Sequence, residues 1–319
     1  MRTIKAAVIG CGLWGRNHAR VYRELPDVEL AAVADLNPQT AQQIGERYNA
    51  SSYTDPKKII EDPSIDLLSI CTPTITHAEI AITAIEAGKH VLIEKPMTST
   101  IVEAKRLMNL AERQKVKLAI GFVERFNPAV QEAIKLTLNG DIGAPLLAYA
   151  SRVSRSPGRI GDVGVVKDLA IHDGDIINHL FSDQAQSVYA VAGSIQHKFE
   201  DYAQIKISYT NNRNAIVSTN WLTPRRIRNL TITGTEGIIN VEYTSQQITV
   251  ENNEKLTQPY LTYKEPLMLE LKSFTDAVRD DTRPNVTGED GLRALIICEA
   301  ALQSAKTGKQ VKLNSRARR

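Results

Sequence analysis

The chain has 319 residues, of which 42% are hydrophobic and 24% are charged, and its formal net charge is +3. This length suits about two domains, each able to bury its own core. So small a net charge does not indicate a nucleic-acid-binding protein, and no apolar stretch approaches the roughly 20 residues of a membrane-spanning helix. The basic C-terminal residues Arg316, Arg318 and Arg319 are interpreted as a solvated tail.

Three widely separated cysteines, Cys11, Cys71 and Cys298, form no CxxC pair. We therefore expect neither a disulfide framework nor a zinc site, and no bound metal. The N-terminal segment lacks the long apolar region and small-residue cleavage site of a signal peptide. Together these features predict a cytoplasmic protein with no membrane or nucleic-acid partner.

Short apolar runs alternate with helical patterns up to Phe122. The runs are apolar nearly throughout, as in parallel strands that helices cover on both faces. They lie at 4–10, 28–35, 66–72, 89–94 and 117–122, with helix candidates near 16–24, 39–48, 77–87 and 100–114. This order predicts a doubly wound parallel α/β sheet, a Rossmann domain, over residues 1–122.

The pattern changes after residue 122. A helix candidate follows Asn127-Pro128, another covers about 168–181, and strand-like runs with polar turns follow at 187–195, 202–209, 215–222, 228–234 and 237–243. We predict a second, α+β domain over residues 123–319, built on a large, mostly antiparallel sheet. Two C-terminal helices complete it, one with an apolar face formed by Leu267, Leu271, Phe274 and Val278, the other over 288–307. The C-terminal helix can pack back on the first domain.

A GxGxxG motif, formed by Gly10, Gly12 and Gly15, links the first predicted strand to the first helix. Gly10 permits a tight turn, Gly12 lets the backbone approach a pyrophosphate, and Gly15 lets the helix pack closely on the strand. The helix N-terminus then offers free N–H groups to the phosphates. Asp35 ends the next strand, about 20 residues on, where a carboxylate binds the adenosine ribose and repels a 2′-phosphate. The motif predicts NAD as the cofactor; the alternative is a glycine turn with Asp35 as a cap.

Two further predicted strands end in proline-marked sequences, CTPTITH at 71–77 and EKP at 94–96. Ligands of such sheets lie beyond the carboxyl ends of the strands, and Pro96 keeps Lys95 extended there. Lys95 can hydrogen-bond a substrate hydroxyl, although a solvated lysine is the simpler interpretation of this residue alone. In the second domain, Asp168 and His172 lie four residues apart on one helix face. The pair suits general acid–base chemistry, and the alternative is a helix cap with a surface histidine.

Together these motifs resemble the Gfo/Idh/MocA family of oxidoreductases, from the first strand to the last helix. The matching segments are GCGLWG, the strand-terminal Asp35, CTPTITH, EKP, GFVERFNP at 121–128 and DLAIH at 168–172. The resemblance implies a Rossmann domain and an α/β domain whose open sheet mediates assembly, here to a homodimer or homotetramer. It implies oxidation or reduction of hydroxyls on sugars, inositols or nucleotide sugars, with Lys95, Asp168 and His172 as the catalytic residues.

The residues expected to contact NAD lie in the glycine motif and at strand ends. They are Gly10, Gly12, Leu13, Trp14, Gly15, Asp35, Thr72, Pro73, His77, Glu94 and Lys95. Within the family, RFNP at 125–128, residues 161–173 and PRRIR at 224–228 most resemble UDP-N-acetylglucosamine 3-dehydrogenases. Several members carry a glycine-rich segment where this chain has Val163-Gly164-Val165-Val166, so we expect a differently shaped sugar pocket.

Two groups of arginines indicate an anionic substrate, and we expect a nucleotide sugar. Arg152, Arg155 and Arg159 precede the DxxxH helix in what we interpret as a connection, and Arg225, Arg226 and Arg228 lie between two strands. The planar guanidinium suits a diphosphate because it can donate two parallel hydrogen bonds. The expected substrate contacts are Lys95, Arg152, Arg159, Asp168, His172 and Arg226. Two alternatives stay open: a dehydrogenase of a free sugar, sugar acid or inositol, and a non-catalytic regulator that senses NAD.

Overall fold

The computed structural model describes residues 2–156, 158, 161–182 and 184–313. They form two compact units, one within Met1–Val123 and Glu265–Leu292, the other within Glu124–Lys264 and Arg293–Arg319. The first unit ends its N-terminal stretch at Val123 and also includes residues 265–292, whereas the domains expected from the sequence were 1–122 and 123–319.

Strands and helices follow in chain order. The strands are β1 (Ile4–Ile9), β2 (Val28–Ala34), β3 (Ser51–Tyr53), β4 (Leu67–Ile70), β5 (His90–Glu94), β6 (Leu118–Gly121), β7 (Pro145–Arg155), β8 (Ala185–Gly193), β9 (Tyr202–Tyr209), β10 (Asn214–Asn220), β11 (Leu222–Gly234), β12 (Gly237–Glu242), β13 (Gln247–Asn252), β14 (Leu256–Thr257) and β15 (Val311–Lys312). The helices are α1 (Leu13–Glu24), α2 (Pro38–Tyr48), α3 (Lys57–Ile60), α4 (Thr74–Glu86), α5 (Ile101–Gln114), α6 (Pro128–Asn139), α7 (Ile171–Phe181), α8 (Pro266–Arg279) and α9 (Gly288–Thr307). Among these described residues, no helix has the length and apolarity needed to cross a membrane.

The first unit contains a six-stranded parallel sheet in the order β3-β2-β1-β4-β5-β6. This order is that of a Rossmann fold, so the predicted fold of the first domain is confirmed. The short edge strand β3 was not predicted, because its three residues are exposed and carry no apolar run. Helix α8 joins this unit because its apolar face is buried in the same core as β1 and α1. The shared core includes Leu267, Leu271, Phe274, Ile4, Val8 and Tyr22.

The second unit contains a nine-stranded sheet in the order β14-β13-β12-β11-β7-β10-β9-β8-β15. Its strand pairs are antiparallel except β7 with β10, which confirms the mostly antiparallel sheet that the sequence predicted. Asn211 and Asn212 both have positive φ angles in the β9–β10 turn, a conformation that asparagine tolerates.

Strand β7 lies near the centre of this sheet, although the sequence analysis interpreted part of it as a connection. Its inward-facing side chains include Ala148, Ala150 and Arg152, all buried. The apolar run of this strand ends at Ala150, and the polar and charged residues from Ser151 to Arg155 interrupt the pattern by which a strand is recognised. Arg152 and Arg155 therefore belong to a strand and not to a loop.

Buried charges hold α7 against the sheet. Arg152 of β7 donates to both carboxylate oxygens of Asp173 in α7, from Nε at 2.8 Å and from Nη2 at 3.0 Å. Its Nη1 donates to Glu124 Oε1 at 2.8 Å, and Arg228 of β11 donates to the same oxygen at 2.9 Å. The four side chains form one network that joins α7, β7, β11 and the turn before α6.

The RFNP segment supplies a second buried pair beside this network. Arg125 donates to Asp175 of α7 from Nε at 2.6 Å and from Nη2 at 2.9 Å. Asn127 caps α6 through the Ala129 N–H and donates to the Tyr243 carbonyl. In this structure RFNP therefore orients α7 and starts α6.

Glu124 is the carboxylate on which this network depends most. Burial alone would raise its pKa, but Arg152 and Arg228 outweigh burial and hold the pKa of Glu124 below its ordinary value. A lowered folded-state pKa stabilises the protein above the unfolded-state pKa of glutamate, and this stabilisation is lost as pH falls through the folded-state value.

We expect Glu124→Gln to destabilise the second unit by about 3–5 kcal/mol at pH 7, because Asp173 alone is then left to balance the charges of both Arg152 and Arg228. The variant should also lose less stability than the parent between neutral and acidic pH. Thermal unfolding followed by circular dichroism from pH 8 to pH 4 measures both effects. Glu132→Gln, which removes the more exposed carboxylate paired with Lys135, is the control. Equal midpoints and equal acid slopes for the two variants would contradict this account.

Candidate functional site

The glycine motif places the N-terminus of α1 against the ends of β1 and β4. Gly10 has a φ of +90°, and a Cβ there would lie 2.8 Å from backbone atoms of Cys71 and Thr72. A Cβ on Gly15 would lie 1.7 Å from the Gly10 carbonyl oxygen. A Cβ on Gly12, in contrast, would meet no heavy atom within 4 Å. Internal packing requires the first and third glycines, whereas the second leaves backbone open to an external group, as a pyrophosphate requires.

Asp35 is fixed at the end of β2 beside the glycine turn. Its Oδ2 accepts from the Cys11 N–H at 2.8 Å, and its Oδ1 accepts from the Asn37 N–H at 2.9 Å. Each carboxylate oxygen can accept a further hydrogen bond, and the side chain is only half-buried. This arrangement fits an acceptor for ribose hydroxyls, with Leu13 and Trp14 following in the first turn of α1.

His77 joins the two proline-marked turns that the sequence analysis singled out. Its Nε2 lies 2.8 Å from the Thr72 carbonyl oxygen and its Nδ1 lies 2.9 Å from the Pro96 carbonyl oxygen. Thr72 also accepts a hydrogen bond from the Thr76 hydroxyl at 2.8 Å. Because both ring nitrogens face protein carbonyls, His77 braces the site, and its direct contact with the cofactor stays a prediction.

Lys95 lies at the carboxyl end of β5, where the sequence placed it, and is half-buried. The preceding Glu94 is buried, with Oε1 at 3.1 Å from His18 Nε2 and Oε2 at 3.3 Å from the Lys95 N–H. Direct contact of Glu94 with the cofactor likewise stays a prediction. Sequence reasoning missed His18, because one histidine within an amphipathic helix gives no signal of its partners.

In the second unit, Asp168 and His172 lie at the start of α7 and are both buried. The predicted helix from Asp168 is a π-helical turn over residues 166–170, followed by α7 from Ile171. Single π-helical turns of this kind are frequent at functional sites. The turn still places the two side chains one helical turn apart.

The segment 163–166 departs from the family's glycine-rich pattern, and the structure shows what it packs against. A Cβ on Gly164 would lie 2.1 Å from the Glu200 carboxyl carbon. Glu200 accepts from the Val166 N–H at 3.1 Å, and burial raises the pKa of this carboxyl group. Val165 and Val166 are fully buried. Gly164 is thus the position in this segment at which a side chain would collide, and the valines pack inward.

The predicted substrate-binding arginines occupy different environments. Arg152 is buried, with its charge matched by Asp173 and Glu124 inside the second unit, so its contact with substrate stays a prediction. Arg228 is half-buried and also bound to Glu124. Arg159 and the C-terminal Arg316, Arg318 and Arg319 lie outside the described residues.

Arg155, Arg225 and Arg226, which we call the arginine cluster, are exposed at one end of the β7–β11 pair. Across this pair Leu222 faces Arg155 and Ile227 faces Val153, so residues 223–226 form an irregular bulge in β11. Bulges often redirect side chains beside active sites. In the described part of the chain, no ion pair involves a member of this cluster.

Residues 4–122 match the model of the Gfo/Idh/MocA oxidoreductase family, NAD-binding Rossmann fold, and residues 160–313 match its C-terminal alpha/beta domain. The myo-inositol 2-dehydrogenase of Thermotoga maritima is 28% identical over 336 residues, covering 97% of this chain and 98% of that protein. The UDP-N-acetylglucosamine 3-dehydrogenase of Acidithiobacillus ferrooxidans is 28% identical over 310 residues, covering 94% and 96%.

A crystal structure of the Acidithiobacillus ferrooxidans enzyme superposes with a TM-score of 0.89 at 26% identity, covering 96% of this chain and 99% of that one. A levoglucosan dehydrogenase solved with NADH and L-sorbose shares the fold, with a TM-score of 0.92 at 23% identity over 98% of this chain and 100% of that one. The chain therefore belongs to the Gfo/Idh/MocA family and is an NAD-dependent dehydrogenase that acts on CH–OH groups.

Proposed function

We propose that this protein oxidises a ring hydroxyl of a nucleotide sugar, with UDP-N-acetylglucosamine as the first candidate. The observation that carries the proposal is the arginine cluster, three exposed cations without carboxylate partners among the described residues, held beside a β-bulge. A diphosphate supplies the anionic oxygens that such guanidinium groups bind. A nucleotide-sugar dehydrogenase is also among the relatives that match nearly the whole chain. An inositol dehydrogenase matches equally well, so a free polyol is the competing substrate.

The cofactor site in this proposal is the glycine motif together with Asp35 and the ends of β4 and β5. Gly12 and the N-terminus of α1 would hold the pyrophosphate, Asp35 the adenosine ribose, and the Thr72–Pro73 turn the nicotinamide half. When bound, NAD supplies the hydride acceptor. The open backbone at Gly12 and the anchored Asp35 carboxylate support this assignment.

Gly12→Ala and Gly15→Ala should separate cofactor binding from folding. A methyl group at residue 12 meets no protein atom, so we expect a Tm within about 2 °C of the parent and NADH affinity reduced by about tenfold or more. A methyl group at residue 15 collides with the Gly10 carbonyl, so that variant should lose stability as well. Differential scanning fluorimetry and NADH fluorescence titration measure the two properties. Full NADH affinity in Gly12→Ala would contradict the pyrophosphate assignment.

Lys95, Asp168 and His172 are the proposed catalytic residues. His172 takes the hydroxyl proton, Lys95 donates a hydrogen bond to the substrate oxygen, and Asp168 orients the imidazole or the substrate. The strand-end position of Lys95 and the burial of Asp168 and His172 support these roles, because partial removal from water strengthens each interaction with a substrate.

A substrate panel tests the proposed reaction. We expect NAD reduction with UDP-N-acetylglucosamine at a kcat/KM at least about tenfold above that with free N-acetylglucosamine, glucose or myo-inositol, because one charge-assisted contact is worth that much. Absorbance at the NADH band measures it. Turnover of only the neutral compounds would overturn the nucleotide-sugar proposal and favour the free-polyol alternative.

Two variants test the roles of the arginine cluster and of Lys95 in this reaction. Arg225→Met/Arg226→Met should raise KM for the nucleotide sugar while leaving NADH affinity unchanged, since it removes charge and keeps the apolar stem. Lys95→Met should lower kcat by about 10²–10⁴-fold at unchanged NADH affinity. If the arginine variant also loses turnover of neutral sugars, the arginine cluster is needed for folding and not for binding the diphosphate.

We also propose that the open face of the nine-stranded sheet forms a homodimer or homotetramer. Helices α6 and α7 contact one side of this sheet, whereas the other side exposes apolar residues that adjoin across strands. Ile216 lies beside Tyr149, and both border Leu147 on this face. Tyr189 and Val191 of β8 are exposed in the same way. An apolar patch of this kind on a sheet marks an interaction surface.

Tyr149→Glu/Ile216→Glu should dissociate the assembly, because it places charge in the centre of this apolar face. Sedimentation velocity at micromolar concentration should show an oligomer for the parent and a monomer for the double variant. Leu138→Glu, at an exposed apolar position on α6, is the control and should match the parent. A monomeric parent, or an unchanged double variant, would contradict the proposed interface.

A further inference from the structure

The turn that carries Lys95 is held on both sides by buried histidines. On the N-terminal side, the Glu94 carboxylate is bound to His18 of α1. On the C-terminal side, the Pro96 carbonyl lies 2.9 Å from His77 Nδ1 in α4. The two histidines are 0% and 1% exposed. Both backbone neighbours of Lys95 are therefore tied to helices that pack on the sheet.

With a neutral imidazole, the hydrogen-bond chain at His18 runs in one direction. Tyr22 Oη lies 2.7 Å from Ser69 Oγ, which lies 3.1 Å from His18 Nδ1. Because the Glu94 carboxylate accepts, His18 Nε2 donates, and a neutral imidazole then accepts at Nδ1 from the Ser69 hydroxyl. Burial raises the pKa of Tyr22, so its hydroxyl stays protonated and can donate to Ser69. In this arrangement each of the three hydrogen bonds has one donor and one acceptor.

The position of the Glu94 carboxylate is also fixed sterically. Glu94 pairs with Gly121 of the neighbouring strand β6, and a Cβ on Gly121 would lie 2.9 Å from Glu94 Oε1. The missing side chain at residue 121 makes room for the carboxylate beneath α1. Its Oε2 lies 3.3 Å from the Lys95 N–H, so the anchored carboxylate restrains the Lys95 backbone directly.

His77 restrains the other side of the turn. Its Nε2 lies 2.8 Å from the Thr72 carbonyl, while its Nδ1 faces Pro96. Carbonyl oxygens only accept, so a neutral imidazole donates to one of these two carbonyls and packs against the other, whereas a protonated ring donates to both. In either form the ring lies between the end of β4 and the residue after Lys95. His18 and His77 come from different helices and hold the backbone on either side of one side chain.

We propose that His18 and His77 are positioning residues for Lys95, with His18 acting through Glu94. This inference rests on the proposed catalytic role of Lys95. His18 lies on α1, the helix whose N-terminus faces the proposed pyrophosphate position. The position of α1 therefore sets the positions of both the cofactor loop and Lys95. A displacement of about 1 Å at a reacting group can cost about 100-fold in rate, which is why such bracing matters.

The test compares His18→Asn, His18→Gln and Tyr22→Phe. Asparagine can still accept from Ser69 but is too short to reach Glu94, whereas glutamine extends an amide N–H to Glu94. Tyr22→Phe removes a buried hydrogen bond of the same chain without touching residues 94–96. Hydrogen–deuterium exchange of peptides covering residues 92–99 and kcat at saturating NAD and substrate are measured for each.

We expect His18→Asn to increase exchange in residues 92–99 and to lower kcat by about 10- to 100-fold. His18→Gln should stay within about threefold of the parent in kcat, and Tyr22→Phe should change neither property beyond its effect on global stability. His77→Leu should reproduce the effects of His18→Asn. If His18→Asn lowers Tm but keeps parental exchange and kcat, His18 only stabilises the core and the proposal is wrong. Exchange needs no substrate, so failure of the substrate panel would overturn the proposed reaction without affecting this result.

Discussion

The close approach of α1 to the sheet is the constraint on which the first unit depends. It exists because Gly15 has no side chain where its Cβ would meet the Gly10 carbonyl. The same contact fixes the backbone at Cys11, whose N–H binds Asp35, and sets the N-terminus of α1 above the sheet. One helical turn further along, His18 enters the core between β4 and β5. A local steric requirement thus fixes the positions of the cofactor loop, of Asp35 and of the strand end that carries Lys95.

The second unit orients its helix by buried charge instead. Burial alone would lower the pKa of Arg152, but Asp173 and Glu124 raise it well above its ordinary value, so the guanidinium stays charged. Burying such ions is costly unless geometry and hydrogen bonds repay the loss of water. Here the two-point contact of Arg152 with Asp173 and of Arg125 with Asp175 fixes α7 in both rotation and translation. The π-helical turn before α7 carries Asp168 and the first turn of α7 carries His172, so these charge pairs help to define where both side chains lie.

Whether a feature can be predicted from the sequence depends on how far apart in the chain the residues that determine it lie. The glycine motif can be predicted because Gly10, Gly12 and Gly15 all serve one turn within a few residues. Strand β7 was missed because its second half, Ser151 to Arg155, carries polar and charged residues, and the carboxylate partners of Arg152, Glu124 and Asp173, could not be predicted because they lie far from it in sequence. His18 was missed for the same reason, since Ser69 and Glu94 come together with it only in the folded sheet. Local steric requirements can be predicted from one sequence, but contacts between residues that are far apart in the chain cannot.

Isotope transfer tests the central claim, direct hydride transfer from a nucleotide-sugar ring carbon to NAD, most directly. UDP-N-acetylglucosamine carrying deuterium on both hydroxyl-bearing ring carbons, C3 and C4, would be incubated with the enzyme and NAD, and the recovered cofactor analysed by mass spectrometry and proton NMR. The account predicts one deuterium per turnover on the nicotinamide C4, with a primary isotope effect when chemistry limits the rate. Reduced cofactor without deuterium, or release of the label to water, would contradict it.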